Sequence, residues 1–274
     1  MNTNAVFHRN VREASPAEGR RPVILHFHTF KNAGSSVDAV LQKCFPNAWE
    51  NYDGPVPEFF IHHSEMAIIA RNRLQLKAIS SHQVRLPNPD FSGVEFLPIV
   101  FIRRPELRIA SIWRFQRQRN DDHPATLLAK KLGLRDWVAH CLDSKPLHSI
   151  SNLQTHLFGY RMDQRTPRND SRLFEYAMNN VEALPFMGIV EHFDESMRIY
   201  EPLYSPKVPD FKYEPVTPEN VTGRIGGSIG EQLEALREDL GSELFERIQN
   251  ANADDIALYE FAYSRYMERV QPDG

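Results

Sequence analysis

The part of the chain that most constrains the fold is the stretch from residue 23 to residue 41. It begins with an apolar run of strand length and ends with apolar side chains at helical spacing, namely Val37, Val40, Leu41 and Cys44. Between them lies a tight turn, TFKNAG at residues 29–34, whose only glycine stands beside the start of the helical pattern. We therefore expect a buried strand, a short turn and a helix that packs one face on the core.

This arrangement predicts a site for an anion. Free backbone N–H groups at a helix start point outward, and the helix dipole adds roughly half a positive charge there. Lys31 adds a full positive charge, and the hydroxyls of Ser35 and Ser36 are expected to cap N–H groups. The P-loop of nucleoside triphosphatases places its lysine after the second glycine, whereas Lys31 precedes the glycine. The turn therefore favours phosphate or sulfate; an ordinary strand–turn–helix with a solvated lysine is the alternative.

The composition narrows the class of protein. The chain has 274 residues, of which 41% are hydrophobic and 25% charged, as in ordinary globular proteins. A formal net charge of −4 gives no reason to expect nucleic acid as the main partner. Two cysteines, Cys44 and Cys141, are too few for a disulfide framework, which favours a reduced, cytoplasmic compartment. No stretch has the length and apolarity of a signal peptide or a membrane span, so a soluble protein is expected.

A second strand–turn–helix unit follows further along the chain. Residues 94–102 form a nearly continuous apolar run, as expected of a strand buried on both faces of a parallel sheet. The run stops at Arg103 and Arg104, and a helix is expected from Pro105 because proline suits the first helical position. Two arginines at this point could instead serve only to solvate the helix end.

The first turn resembles the 5′-phosphosulfate-binding loop of sulfotransferases that use 3′-phosphoadenosine 5′-phosphosulfate (PAPS). In the carbohydrate-type branch that loop commonly reads H-I-P-K-T-A-G-T-S, and residues 28–36 here read H-T-F-K-N-A-G-S-S. Phe30 for proline and Asn32 for threonine are departures, and Asn32 removes one expected hydroxyl contact. The resemblance implies that PAPS binds to Lys31, Asn32, Ala33, Gly34, Ser35 and Ser36, without a metal ion.

The second unit is similar to the 3′-phosphate-binding segment of the same family, a strand followed by R-[DN]-P and a helix carrying a serine. Arg103 and Ser111 keep the family's spacing of eight positions, and Pro105 and Arg108 also match. Arg104 replaces the usual acidic or amide residue, which puts any salt bridge of that residue in doubt. The resemblance implies that Arg103 and Ser111 hold the 3′-phosphate of PAPS.

Three further stretches extend the resemblance from about residue 22 to residue 268. Residues 151–159 are similar to N-x-Q-T-x-x-L-x-G, residues 186–196 to G-x-x-E-x-F-x-x-S, and residues 254–260 to D-x-x-L-Y. In related enzymes a loop at the position of residues 222–228 closes over the 3′-phosphate and the adenine. Arg224 is the candidate for that loop here, and a mobile surface loop is the alternative.

These patterns imply a three-layer α/β fold with a central, mostly parallel sheet, a P-loop-like nucleotide site and a helical C-terminal part. Residues 1–20 contain little to bury and predict a flexible tail, which leaves residues 21–270 as a single sulfotransferase domain. Leucines, a phenylalanine and an isoleucine between residues 233 and 248 follow the rhythm of an amphipathic helix, which Gly241 is expected to interrupt.

Three polar residues each follow directly on an apolar, strand-like run: Lys31, His82 and Arg103. The carboxyl ends of parallel strands share one edge of the sheet, where ligands of open α/β sheets bind. His82 is the predicted general base, because imidazole accepts a proton near neutral pH. The segment around it also resembles the G-H-V segment of uronyl 2-O-sulfotransferases, whose histidine is the base. His28 and Glu65 are the reserve bases, and a strand-end cap is the alternative role of His82.

The resemblance implies an enzyme that transfers the sulfuryl group of PAPS to a hydroxyl of a carbohydrate or glycolipid. An inactive PAPS-binding module and a P-loop-like kinase are the alternatives. The sequence does not identify the acceptor or the oligomeric state. His62, His63 and Glu65 invite a metal site, but adjacent residues point in different directions and no further spaced ligands follow, so none is predicted.

Overall fold

The computed structural model describes residues 19–56, 59–144, 150–161, 166–167, 169–215 and 227–271. Most of the predicted N-terminal tail lies outside these ranges, and so does Arg224. In the described residues the chain is an α/β protein with helices packed around a central sheet. None of the described helices is long and apolar enough to cross a membrane.

The sheet is mostly parallel, as predicted. Its six strands are β1 (Arg21–Phe27), β2 (Trp49–Asn51), β3 (Ala78–Ser81), β4 (Asp90–Phe91), β5 (Val94–Ile102) and β6 (Gly188–Ile189). The order is β2-β3-β1-β5-β4, and β6 also pairs with β5. Only the short β4 runs antiparallel among the described strands. The sequence patterns predicted β1, β3 and β5 but not β2 or β4, whose three and two residues are too few to show a period. β6 lies within residues 186–196, which were noted for their family resemblance.

The strand register brings the residues that follow three strands to the carboxyl edge of the sheet. β1 lies between β3 and β5, so that Phe27 is opposite Ser81 on one side and Val100 on the other. β1 and β5 are almost entirely buried, which explains their continuous apolar sequences. The residues that follow β1, β3 and β5 therefore lie side by side at the carboxyl edge of the sheet.

Eleven α-helices are described. They are α1 (Gly34–Cys44), α2 (His63–Asn72), α3 (Pro105–Gln118), α4 (Pro124–Lys131), α5 (Leu134–Asp143), α6 (Leu153–Phe158), α7 (Leu173–Glu182), α8 (Phe193–Tyr204), α9 (Ile229–Leu240), α10 (Ser242–Ala251) and α11 (Ala253–Val270). α1 buries Val37, Val40 and Leu41, as its spacing predicts, while Cys44 is only partly buried. Gly241 separates α9 from α10 with a φ of 79°, so the predicted interruption is confirmed.

The apolar side chains form two clusters. The larger one surrounds the sheet and includes α1, α2, α8 and α11. The smaller one lies among α3, α5, α9 and α10. The predicted helical C-terminal part is present as α9, α10 and α11, of which α11 packs in the larger cluster. α3 belongs to the second cluster but begins directly after β5, so it links the edge of the sheet to the helical region.

Candidate functional site

The turn between β1 and α1 has a backbone suited to holding an anion. Lys31 and Ala33 adopt left-handed conformations, with φ of 63° and 60°. The N–H groups of Ser36 and Val37 donate to the carbonyl oxygen of Ala33. The N–H groups of Gly34 and the residue after it make no main-chain hydrogen bond among the described residues. The first turn of α1 therefore presents backbone donors at the edge of the sheet.

The predicted capping role of the two serines is wrong. Ala33 is the N-cap residue, and no side chain caps the helix. Because the left-handed turn starts α1 at Gly34, Ser35 and Ser36 fall inside the first helical turn instead of before it. Ser35 is exposed and Ser36 is partly buried. Their hydroxyls are thus placed beside the helix start without serving the helix itself.

Gly34 is required by the close approach of His28. A Cβ atom at Gly34 would lie 2.0 Å from Cδ2 and 2.1 Å from Nε2 of the His28 ring. That ring cannot easily move, because its Nδ1 is 2.9 Å from Oδ2 of Asp38 and its face stacks on His82. The glycine therefore lets an imidazole sit directly against the helix start.

We expect Gly34→Ala to destabilise the fold by about 1–3 kcal/mol, because the methyl group must displace the His28 ring. Gly230→Ala is the matched control. Gly230 is also in the first turn of a helix, but its nearest neighbour, Oγ of Ser228, would be 3.9 Å from the new Cβ. That change should be neutral or stabilising by up to about 1 kcal/mol. Urea unfolding of both variants measures the difference; equal effects would mean that His28 moves freely.

Lys31 and Arg103 bring two positive charges to the edge shared by β1 and β5. Nη1 of Arg103 donates to the main-chain carbonyl oxygen of Lys31 at 3.3 Å. The Lys31 ammonium group lies over the ring of Phe115, 4.6 Å from its centre. Burial, together with the charge of Arg103, lowers the pKa of Lys31 to about 8. An anion at this edge would offset the repulsion between the two cations.

Gln154 joins the turn to the end of β5. Its Oε1 accepts hydrogen bonds from Nδ2 of Asn32 at 2.8 Å and from the N–H of Arg103 at 3.0 Å. Its Nε2 donates to the carbonyl oxygen of Arg103 at 2.9 Å. Nδ2 of Asn32 also donates to the carbonyl oxygen of Phe101. Nδ2 of the buried Asn32 is thus committed to internal bonds, and its main-chain N–H donates to the carbonyl oxygen of Thr29, whereas its Oδ1 is buried without a hydrogen-bond partner among the described residues.

Asp255 of α11 holds α6 in place. Its carboxylate accepts hydrogen bonds from the N–H groups of Gln154 at 3.0 Å and Thr155 at 2.6 Å, at the start of α6. This contact joins the stretches 151–159 and 254–260, and no sequence pattern shows that the two are in contact. Both stretches therefore support the two loops by packing and hydrogen bonding.

Ser111, the α3 residue predicted to meet a phosphate, is deeply enclosed, and so is the neighbouring motif residue Arg108. Ser111 has no exposed surface, and its Oγ has no hydrogen-bond partner among the described residues. Arg108 is equally buried, and burial lowers its pKa to about 10, against the opposing effect of Asp255. Arg103 is 12% exposed. A ligand would meet Arg103 first and would reach Ser111 only after the groups covering that serine move.

Arg104, which departs from the family pattern, is engaged within the protein. Its Nε lies 3.0 Å from Oε2 of Glu106, and its guanidinium also pairs with Glu260. Its main-chain N–H donates to Oε1 of Glu191, which lies 3.9 Å from Nε of Arg103. Burial raises the pKa of Glu191, and Arg103 opposes that rise. Of the two adjacent arginines, Arg103 is therefore the one directed to the turn.

His82 is half-exposed and is held by a carboxylate. Asp53 accepts two hydrogen bonds from it: the ring Nδ1 is 2.8 Å from Oδ2, and the main-chain N–H is 2.7 Å from Oδ1. The hydroxyl of Ser81 also donates to Oδ1, at 3.1 Å. Burial alone would raise the pKa of Asp53, but the bonds from His82 and Ser81 lower it below its ordinary value. Asp53 is therefore an ionised acceptor.

A second histidine–aspartate group lies against the first. The rings of His28 and His82 stack with centres 3.7 Å apart and planes 26° apart. Asp38 accepts from Nδ1 of both His28 and His26, each at 2.9 Å. Burial alone would raise the pKa of Asp38, but these two bonds lower it well below its ordinary value. Burial lowers the pKa of His26 to about 4, so this histidine is neutral.

Sequence reasoning missed both aspartates. The H-x-H spacing of His26 and His28 was the available signal, since alternate strand residues point to one face. Asp38 and Asp53 stand on other elements, and neither belongs to a motif. The reserve base Glu65 accepts from the hydroxyl of Tyr52 at 2.9 Å, and is not among the groups bonded to His82.

The structure separates the residues that suggested a metal site and brings others together. His62 is exposed, whereas the neighbouring His63 is buried with Nε2 2.9 Å from the carbonyl oxygen of Arg85. By contrast, the ligand atoms of His26, His28 and Asp38 lie within 4.8 Å of one another. In this structure the three are joined by histidine–carboxylate hydrogen bonds.

Comparison with known proteins gives a distant relative. No protein-family model matches the chain. An uncharacterized protein from Archaeoglobus fulgidus is 27% identical over 252 residues, which cover 90% of this chain and 98% of that protein. The similarity thus covers most of this chain and nearly the whole length of the relative.

Proposed function

We propose that this chain is a PAPS-dependent sulfotransferase that acts on a hydroxyl of a carbohydrate or glycolipid. One observation carries the proposal: the Arg103 guanidinium bonds to the carbonyl oxygen of Lys31, so two separate strand–turn–helix units meet at one edge. PAPS has a 5′-phosphosulfate and a 3′-phosphate, and needs two anion sites that are close together. The resemblance assigns the turn at Lys31 to the first group and Arg103 to the second.

The residues present fit such a nucleotide. The first turn of α1 offers two main-chain N–H groups and the exposed hydroxyl of Ser35 to a phosphosulfate. Nε of Arg103 and Oγ of Ser111 are buried polar atoms without hydrogen-bond partners among the described residues. Most buried polar groups in proteins are bonded, so such atoms call for an explanation. A bound 3′-phosphate would supply an acceptor to Arg103 directly, and to Ser111 once the groups covering that serine move.

The reaction follows from these positions. The acceptor hydroxyl attacks sulfur while the bond from sulfur to the bridging oxygen of PAPS breaks. His82 takes the hydroxyl proton, since its Nδ1–H is held by Asp53 and its Nε2 carries the lone pair. Negative charge builds on the bridging oxygen, and Lys31 with the α1 N–H groups stabilises it. The products are the sulfated acceptor, 3′-phosphoadenosine 5′-phosphate (PAP) and a protonated His82.

We expect Arg103→Ala to weaken PAP binding by at least about tenfold, because a hydrogen bond to a charged group is worth roughly 1.5–3 kcal/mol. Ser111→Ala should cost less, since a neutral hydroxyl is lost. Adenosine 5′-phosphosulfate lacks the 3′-phosphate, so it should bind poorly and respond little to either change. Calorimetry with both nucleotides on the native protein and the two variants gives the comparison.

Controls separate binding from stability. Arg103→Ala also removes the positive charge beside Glu191, so Arg103→Lys, which keeps the charge but loses the planar fork, is measured beside it. Ser111→Ala removes a hydroxyl that has no hydrogen-bond partner in the part of the chain that the structure describes, so it should not lower stability. Ser196→Ala removes one that bonds to the main chain of Ile189, so it should lower stability and leave PAP binding unchanged. Equal weakening of both nucleotides by Arg103→Ala would contradict the 3′-phosphate assignment.

The function itself is tested with ³⁵S-labelled PAPS and fractionated cell-surface glycans of the native host. Label should appear in a glycan fraction without added metal ion. PAP binding without transfer to any fraction would support an inactive nucleotide-binding module instead. Magnesium-dependent turnover of ATP would point to a kinase and overturn the proposal.

A further inference from the structure

We propose that Asp53 is the positioning residue of His82 and fixes which ring nitrogen can accept a proton. That His82 acts as a base rests on the proposed function. That Asp53 fixes the tautomer of His82 rests on the contacts of Asp53 alone. Asp53 follows β2, the short edge strand next to β3, and its carboxylate reaches across to the residues at the end of β3.

The carboxylate is held in one orientation by three donors. Oδ1 accepts from the main-chain N–H of His82 at 2.7 Å and from the Ser81 hydroxyl at 3.1 Å. Oδ2 faces Nδ1 of the His82 ring at 2.8 Å. An ionised carboxylate only accepts hydrogen bonds, so Nδ1 must carry a proton. In the neutral ring, Nε2 is then the bare nitrogen and the only one that can act as a base.

The same contacts fix what an asparagine would do at this position. The two donors at Oδ1 require an oxygen, so the amide oxygen of Asp53→Asn must take the place of Oδ1. The NH₂ group is then forced into the place of Oδ2, where it donates to Nδ1 of His82. The neutral His82 ring must then adopt the tautomer in which Nδ1 is unprotonated and Nε2 carries the proton. A substitution of nearly equal shape would therefore invert the tautomer and remove the base.

The stacked His28 makes the ring orientation of His82 more definite. His28 is fixed by Asp38 and packs against Gly34, so the face of His82 rests on a ring that is itself held. Rotation of His82 about its Cβ–Cγ bond would break both the stack and the bond to Asp53. Asp53 thus selects the nitrogen, and His28 supports the plane of the ring.

The test uses the full-length protein with ¹⁵N-labelled histidine, observed by NMR under conditions in which the His82 ring is neutral. His82→Ala identifies the signals of that residue. The native protein should show protonated Nδ1 and bare Nε2, and Asp53→Asn should show the reverse. Glu50→Gln is the matched control, because Glu50 lies on β2 but pairs with Arg73. It should leave the His82 pattern unchanged. An unchanged pattern in Asp53→Asn would overturn the proposal.

Transfer of ³⁵S from PAPS supplies the second readout. Asp53→Asn should lower the transfer rate by about tenfold or more while PAP affinity stays within about twofold. The loss should be at least as severe as in Asp53→Ala, although asparagine keeps the shape of the side chain. A merely structural role predicts the opposite order, and that order would overturn the proposal. If the native protein transfers no sulfate at all, the proposed function fails, while the nitrogen measurement still decides the role of Asp53.

Discussion

His82→Ala is expected to cut the rate of sulfate transfer by about a hundredfold or more and to leave PAP affinity nearly unchanged. The reason is that His82 follows β3, whereas the two anion-binding units follow β1 and β5. Its removal takes away the proton acceptor and the ring stacked on His28, but none of the groups proposed to bind PAP. Transfer of ³⁵S from PAPS and calorimetry with PAP measure the two quantities on the same protein.

Two further variants are measured beside His82→Ala, one as a control and one to test a reserve base. His140→Ala removes an exposed histidine of α5 whose ring forms a hydrogen bond with the Ser144 hydroxyl. It should change neither the transfer rate nor the affinity for PAP. If His82→Ala retained full transfer, the base would be one of the two reserve residues, Glu65 or His28, of which His28 is stacked on His82 and bonded to Asp38. His28→Ala measured alongside would then carry the loss only if His28 were that base.

Lys31→Ala should lower the transfer rate by roughly a hundredfold, and by more than it weakens PAP binding. The bridging oxygen gains charge only as the bond to sulfur breaks, so a cation placed there stabilises the transition state more than the ground state. Lys31→Arg keeps the charge on a larger group and serves as the comparison. Equal losses of transfer rate and PAP affinity would mean that Lys31 only anchors the nucleotide.

The lowered pKa of Lys31 predicts a pH dependence for the proposed transfer reaction. An ordinary lysine stays charged to about pH 10, whereas Lys31 loses its charge as the pH rises through about 8. The value of kcat/KM reports the free enzyme and should therefore fall above about pH 8. A bound anion raises the pKa of Lys31, so kcat should fall only at higher pH. Lys31→Ala should lack the decline; a native profile that is flat to pH 10 would contradict the assignment.

The sequence by itself determined the elements that carry the site. The apolar run of residues 94–102 gave the whole of β5, because a strand buried on both faces has no reason to alternate. The spacing of Val37, Val40 and Leu41 gave the buried face of α1, because a helix must cover the sheet with one stripe. The placement of Lys31, His82 and Arg103 at one edge followed from the parallel order of β3, β1 and β5.

Only the tertiary structure decided how these residues are held. Asp53 reaches His82 from across 29 positions of the chain, and Gln154 joins Asn32 to Arg103 from 122 positions beyond Asn32. Such bonds leave no period or motif in the sequence, since a hydrogen bond depends on where atoms meet in space. The left-handed Lys31 and Ala33 likewise moved the helix start and replaced the predicted serine caps. Local patterns therefore determine the strands and helices. Long-range contacts determine which nitrogen of His82 carries a proton and how the turn at Asn32 is joined to Arg103.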